Sequence, residues 1–112
     1  MTENTRAFYR VDYPVRERPV LHTKDEALDV IECSESGLSY ALPRGVDRPL
    51  VRATSTGIVP FADRAQATVE GVVVRVDDHS AALRLTRRTI PFAIILGEQK
   101  YLRRHYHARY NR

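Results

Sequence analysis

Two short clusters carry the chemistry open to this chain. The first, Arg6-Ala-Phe-Tyr-Arg10, sets two permanent cations on one stretch near the N-terminus. In an extended chain both guanidiniums lie on one side, about 13 Å apart at the usual rise. In a helical turn they close to about 6 Å. Each guanidinium can grip a phosphate through paired donors and stack on a purine face. The second cluster, Glu32-Cys-Ser34-Glu-Ser-Gly37, falls where a strand-like pattern stops. Glu32 and Ser34 are two apart, so on a strand they project together. A carboxylate there can accept from the N1–H and exocyclic amine of guanine, and a hydroxyl both donates and accepts. Gly37 tolerates a positive φ and the close approach of ligand or backbone. The pair suits a ligand that is anionic in one part and rich in donors in another, as a guanine nucleotide is. Taken singly, each cluster has a plainer reading. Arg6 and Arg10 also read as solvated arginines on a frayed terminus, and the second cluster as a strand end followed by a polar turn.

The elements that must position these residues can be read from hydrophobic spacing. Val11, Tyr13 and Val15 alternate as a strand, and Pro14 and Pro19 demand an edge or a break in it. Val20 to His22 continues it, Thr23 to Glu26 is a polar turn, and Ala27 to Cys33 is a second strand. Adjacent apolar Val30 and Ile31 interrupt its alternation, which predicts a bulge or burial on both sides. Gly37 opens a third strand, with Leu38, Tyr40 and Leu42 on one face and Ser39 and Ala41 on the other. Residues 43–49 are loop by composition, and 50–61 are ambiguous, with a short strand at Gly57 to Pro60. Ala67 to Val76 is the clearest strand, with Val72, Val74 and Val76 on one face and Val73 and Arg75 on the other. Asp77 to Ser80 is a hairpin turn. Ala81, Leu83 and Leu85 line one face of the last strand, opposite Arg84 and Thr86.

After Ile90 the period changes. Pro91 suits a helix start, and Phe92, Ile95, Leu96, Leu102 and Tyr106 form an apolar stripe. Gly97 within it costs about 1 kcal/mol relative to Ala, which points to close packing or a kink there. Five or six short strands followed by one helix imply an antiparallel barrel or sandwich.

At 112 residues the chain is read as one domain, 1–112. No apolar run approaches a membrane span and residues 1–15 do not form a secretory leader, so the expected location is cytoplasmic. The single cysteine, Cys33, has no internal disulfide partner and lacks an evident activating base, so it reads as a packed strand residue. The net charge of +4 is uneven: residues 83–112 hold eight Lys/Arg against Glu98 alone. Such a tail serves an acidic partner, a membrane surface or a nucleic acid, or is a solvated helix end with cations suited to the dipole. His105 and His107 point apart on a helix, and His22 and His79 lack ligand-spaced neighbours, so no metal site is expected. Asp77-Asp78 reads as a solvated turn, not an acid/base pair. With no phosphate loop or nucleophile elbow either, the chain reads as a binding protein, not an enzyme, and needs no cofactor.

Together the two clusters make the chain resemble the PilZ domain family, bacterial receptors for cyclic di-GMP. That family carries an Arg-x-x-x-Arg motif at its N-terminal edge, matched by Arg6 and Arg10. It also carries an Asp/Asn-x-Ser-x-x-Gly motif at the end of its second strand, matched at Ser34 and Gly37, with Glu32 in the Asp/Asn position. Gly71-Val-Val-Val-Arg75 in a late strand and Glu98-Gln-Lys-Tyr-Leu102 in a terminal helix extend the likeness over nearly the whole chain.

The resemblance implies a six-stranded antiparallel β-barrel over residues 10–88, a C-terminal helix over 90–107 and a flexible N-terminal arm over 1–9. It implies cyclic di-GMP as ligand, bound by Arg6, Arg10, Glu32, Ser34 and Gly37, and an effector protein as partner. Arg75 is a further candidate wall of the site. Glu32 departs from the motif by one methylene, in a site where a shift of about 1 Å is costly. Two rivals stand beside the receptor: a PilZ-like adaptor that has lost the nucleotide, and, less favoured, a nucleic-acid-binding barrel using the tail from Lys100 to Arg112.

Overall fold

A computed structural model describes residues 9–106 of the chain. Arg6, the rest of the arm ahead of Tyr9, and the tail from His107 onward lie outside the described residues. Seven strands run in the order β1 (Val11–Asp12), β2 (Val20–His22), β3 (Ala27–Cys33), β4 (Gly37–Ala41), β5 (Thr54–Pro60), β6 (Gln66–Val76) and β7 (Ser80–Arg88), followed by helix α1 (Phe92–His105). Every pairing is antiparallel. The neighbours β3-β2-β5-β6-β7-β4 close on themselves through β4–β3, giving a six-stranded barrel with one C-terminal helix.

β1 and β2 are two pieces of one interrupted strand, both paired to β3. A 3-10 turn at Val15–Glu17 separates them, directly after Pro14. The prolines act here by removing ladder donors and fixing φ. Val15, expected in the strand, sits on that turn and is exposed.

The core fills the barrel and extends under the helix. Val11, Leu21, Val30, Val59, Val69, Val73, Ile95 and Leu102 are each at most 1% exposed. On β6 the inward residues are Ala67, Val69, Gly71 and Val73, so Val72 and Val74 belong to the outer face. A register shift between Val73 and Arg75 then breaks the alternation, and the side that Val72, Val74 and Val76 share by simple strand period does not run through.

Glycine explains why β5 is ambiguous as a sequence pattern. Its inward positions include Gly57, where a Cβ would meet the His22 carbonyl oxygen at 2.8 Å. Gly71 on β6 faces the Arg84 carbonyl oxygen, with which a Cβ would collide. Closing a small barrel brings these backbones together, and the inner slots lose the bulky residues that signal a strand.

Helix α1 starts after Pro91, as expected, and ends at His105. Its buried seam is Ile95, Glu98 and Leu102, with Leu96 only half-buried. The apolar stripe therefore carries a carboxylate at its centre. Gly97 is neither closely packed nor at a kink: a Cβ there would meet nothing within 4 Å, and the helix runs through it unbroken.

Candidate functional site

The β3–β4 hairpin builds a firm ledge. The Ser34 N–H donates to the Gly37 carbonyl at 2.8 Å and closes the turn. The tip is then tied to the rest of the fold, because the Ser36 carbonyl accepts from the Leu85 N–H at 2.8 Å and the Glu35 carbonyl from the Ile90 N–H at 3.2 Å. Between Val30 and Glu32 the β3–β4 register shifts, the interruption that adjacent Val30 and Ile31 announced. The shift returns Cys33 to the core and sets Glu32 opposite Ser39. Gly37 does not use a positive φ; among the described glycines only Gly45 does. Its constraint is contact, since a Cβ would lie 3.2 Å from the Leu83 carbonyl oxygen.

Arg10 enters from the β1 side. β1 places Val11 opposite Cys33 and Asp12 opposite Glu32, so Arg10 comes level with Ser34. The Arg10 Nε lies 3.3 Å from Glu32 Oε1 and 3.8 Å from Asp12 Oδ1. Two carboxylates directly opposite each other repel, and Arg10 is the cation between them. Burial pushes the Glu32 carboxyl above the ordinary glutamate value, and a hydrogen bond with Asp12 adds to the rise. The Arg10 charge opposes it, Asp12's charge reinforces it, and the Ser39 hydroxyl opposes it again. On the far side Ser39 Oγ donates to Glu32 Oε2 at 3.5 Å.

These groups surround one cavity of about 200 Å³, lined by Arg10, Glu32, Ser34, Gly37 and Ser39 above a floor that includes Leu38 and Leu83. Four of the five residues singled out from sequence thus meet at one place, and the fifth, Arg6, is outside the described residues. Arg75 does not join them. Its guanidinium bonds the Asp77 carboxylate and it does not line the cavity. Asp77 lies in the expected turn and caps it: N–H groups of His79 and Ser80 donate to it and hold its carboxyl below the usual aspartate range.

Sequence reasoning passes over Asp12 and Ser39. Asp12 follows Arg10 by two, and Ser39 follows Gly37 by two, the strand period that carries a residue to the same face. Only the cross-strand register shows that both oppose Glu32.

A second polar group lies behind the site. Glu98 of α1 is 4% exposed, yet both its oxygens are bonded. Oε1 accepts from the Tyr13 hydroxyl at 2.6 Å, and Oε2 from the Ala62 N–H at 3.0 Å. Burial, with Cys33 and Glu98 beside it, pushes the Tyr13 hydroxyl far above the ordinary tyrosine range, so it remains a donor. Burial pushes the Cys33 thiol up to about 12, which leaves it neutral and unreactive. The helix also touches the base of the arm. Tyr9 packs edge-on against Phe92 with centroids 4.8 Å apart, and Gln99 Nε2 donates to the Arg10 carbonyl at 3.2 Å. Among the described residues there is no group of three or more potential metal ligands, and no helix is long and apolar enough to cross a membrane.

No protein-family model matches the chain, and no curated protein sequence matches it. Among solved structures it is similar to the Bacillus subtilis inhibitor of motility (MotI/DgrA), with a TM-score of 0.63 at 18% identity. The match covers 89% of this chain and 51% of that one, so this chain spans about half the length of its structural neighbour. At that identity the likeness shows the fold: a closed antiparallel barrel carrying one C-terminal helix.

Proposed function

We propose that this chain is a PilZ-type receptor for cyclic di-GMP that signals to a partner protein. One observation carries the reading: Arg10, Glu32, Ser34 and Gly37, chosen from two separated motifs, line a single cavity. Glu32 and Ser34 hold the edge of a guanine, and Arg10 turns from Glu32 to a phosphate or a purine face. The cavity's volume of about 200 Å³ is below the roughly 300–1,000 Å³ of ordinary small-molecule pockets. It seats one edge of the dinucleotide, and Arg6 covers the remainder from the open side. In this reading binding orders the arm, at a cost of roughly 1–2 kcal/mol per backbone residue that the charged contacts must exceed.

The contacts at the arm's base suggest the output. Tyr9 on Phe92 and the Arg10 carbonyl on Gln99 join the arm to α1. Closure over a ligand therefore changes the surface that the arm and helix together present to a partner. The biological setting is motility, biofilm or virulence control, and the motility inhibitor among its structural neighbours accords with the first.

Titration calorimetry of the full chain with cyclic di-GMP tests this. Saturable heat that Arg6→Ala and Arg10→Ala each reduce supports the receptor. Absence of heat from the folded chain overturns it in favour of an adaptor without nucleotide. Salt-steep binding of oligonucleotides that requires the tail overturns it in favour of a nucleic-acid binder.

A further inference from the structure

Glutamate is the wrong length for position 32 by the motif's usual rule, and the structure shows what takes up the difference. A free glutamate side chain samples several rotamers, and fixing it costs conformational entropy. Glu32 is held at both oxygens: Oε1 lies 3.3 Å from Arg10 Nε and Oε2 lies 3.5 Å from Ser39 Oγ. Ser39 is its direct cross-strand partner, a placement set by the register shift between Val30 and Glu32. Ser39 is itself only 5% exposed and lines the cavity.

We propose that Ser39 is a positioning residue for ligand recognition: from β4 it anchors one oxygen of Glu32, so that the longer carboxylate presents a fixed edge to guanine donors. The assignment rests on the cyclic di-GMP reading of the same cavity. When a ligand takes Arg10 away from Glu32, Ser39 is the contact that still favours the charged carboxylate, whereas Asp12 opposite it favours the protonated form. Ser39 itself need not touch the ligand. Its action passes through Glu32, and the two positions must therefore be coupled.

The test is a double-mutant cycle by calorimetry with cyclic di-GMP, using Ser39→Ala, Glu32→Gln and the pair, repeated across pH. Ser39→Ala is expected to weaken binding about tenfold, the scale of one hydrogen bond to a charged group. In the Glu32→Gln background the same change should have a smaller effect, because the amide oxygen accepts only an uncharged, weaker hydrogen bond from Ser39. Acidification should weaken Ser39→Ala at a higher pH than the unaltered chain, because the hydroxyl no longer favours the charged carboxylate. Equal affinity of Ser39→Ala and the unaltered chain overturns the assignment. A tenfold loss that persists unchanged in the Gln background overturns it too, since that is a merely structural effect. If the unaltered, folded chain binds no cyclic di-GMP, the receptor reading itself has failed, and Ser39 falls with it.

Discussion

Glu32 and Glu98 are the same residue in two environments, and they behave as opposites. Glu98 is almost fully enclosed and each oxygen has a good donor, one at 2.6 Å and one at 3.0 Å. It pins α1 to the chain after β1 and to the turn at Ala62–Arg64. The Glu32 side chain is 32% exposed, with longer contacts of 3.3 and 3.5 Å and a second carboxylate opposite. Burial without full satisfaction leaves acceptor capacity unspent. Carboxylates whose partners are complete hold structure together, and those whose partners are provisional are where a ligand gains most.

The sharpest way to break this contrast is at Glu98. Glu98→Ala strands the Tyr13 hydroxyl and the Ala62 N–H inside the protein, and should lower stability by about 3 kcal/mol in urea unfolding. A loss under about 1 kcal/mol would mean water replaces the carboxylate and the lock is not one. Next comes Arg10→Ala, expected to weaken cyclic di-GMP at least tenfold while stability stays within about 0.5 kcal/mol, because exposed ion pairs contribute little. A large stability loss there would make Arg10 a fold residue instead of a ligand residue.

Gly97→Ala, one residue from Glu98 but facing open space, should raise stability by about 0.8 kcal/mol through helix propensity. Destabilisation in a thermal melt would place a hidden neighbour against that face. The smallest effect concerns pH. The folded Glu32 carboxyl is raised, so the folded state holds its proton more tightly. The stability from that proton is present below the ordinary glutamate value and lost as pH rises through the raised one. The unaltered chain should thus fall behind Glu32→Gln as pH rises through that window, in paired denaturant titrations. The reverse slope would show that Arg10 outweighs burial and Asp12.

One half of the contrast is legible in the sequence and the other is not. The candidate site residues stand out only as a pair of clusters, because two arginines and then a carboxylate, hydroxyl and glycine at strand spacing say more together than either does alone. Glu98 does not, because a glutamate on a helix ordinarily reads as solvated, and its burial depends on Tyr13 and Ala62, which are 85 and 36 residues away in the chain. Ser39 is one polar residue of a strand face until the register shift places it against Glu32. The prolines at 14 and 19 mark the break between β1 and β2 correctly, since proline acts on its own backbone. The inward face of β6 is ambiguous, as valines occupy both sides and a register shift resets the phase.

Local chemistry alone determined where strands break, where the hairpins turn, where the helix begins, and which side chains were equipped to bind. Those properties depend on a residue and its near neighbours, and the chain states them directly. Only the tertiary structure decided which strand lies beside which, and hence that Arg10 meets Glu32, that Asp12 crowds it, and that Glu98 is locked away. Those outcomes depend on register and closure, where a shift of one residue exchanges inside for outside.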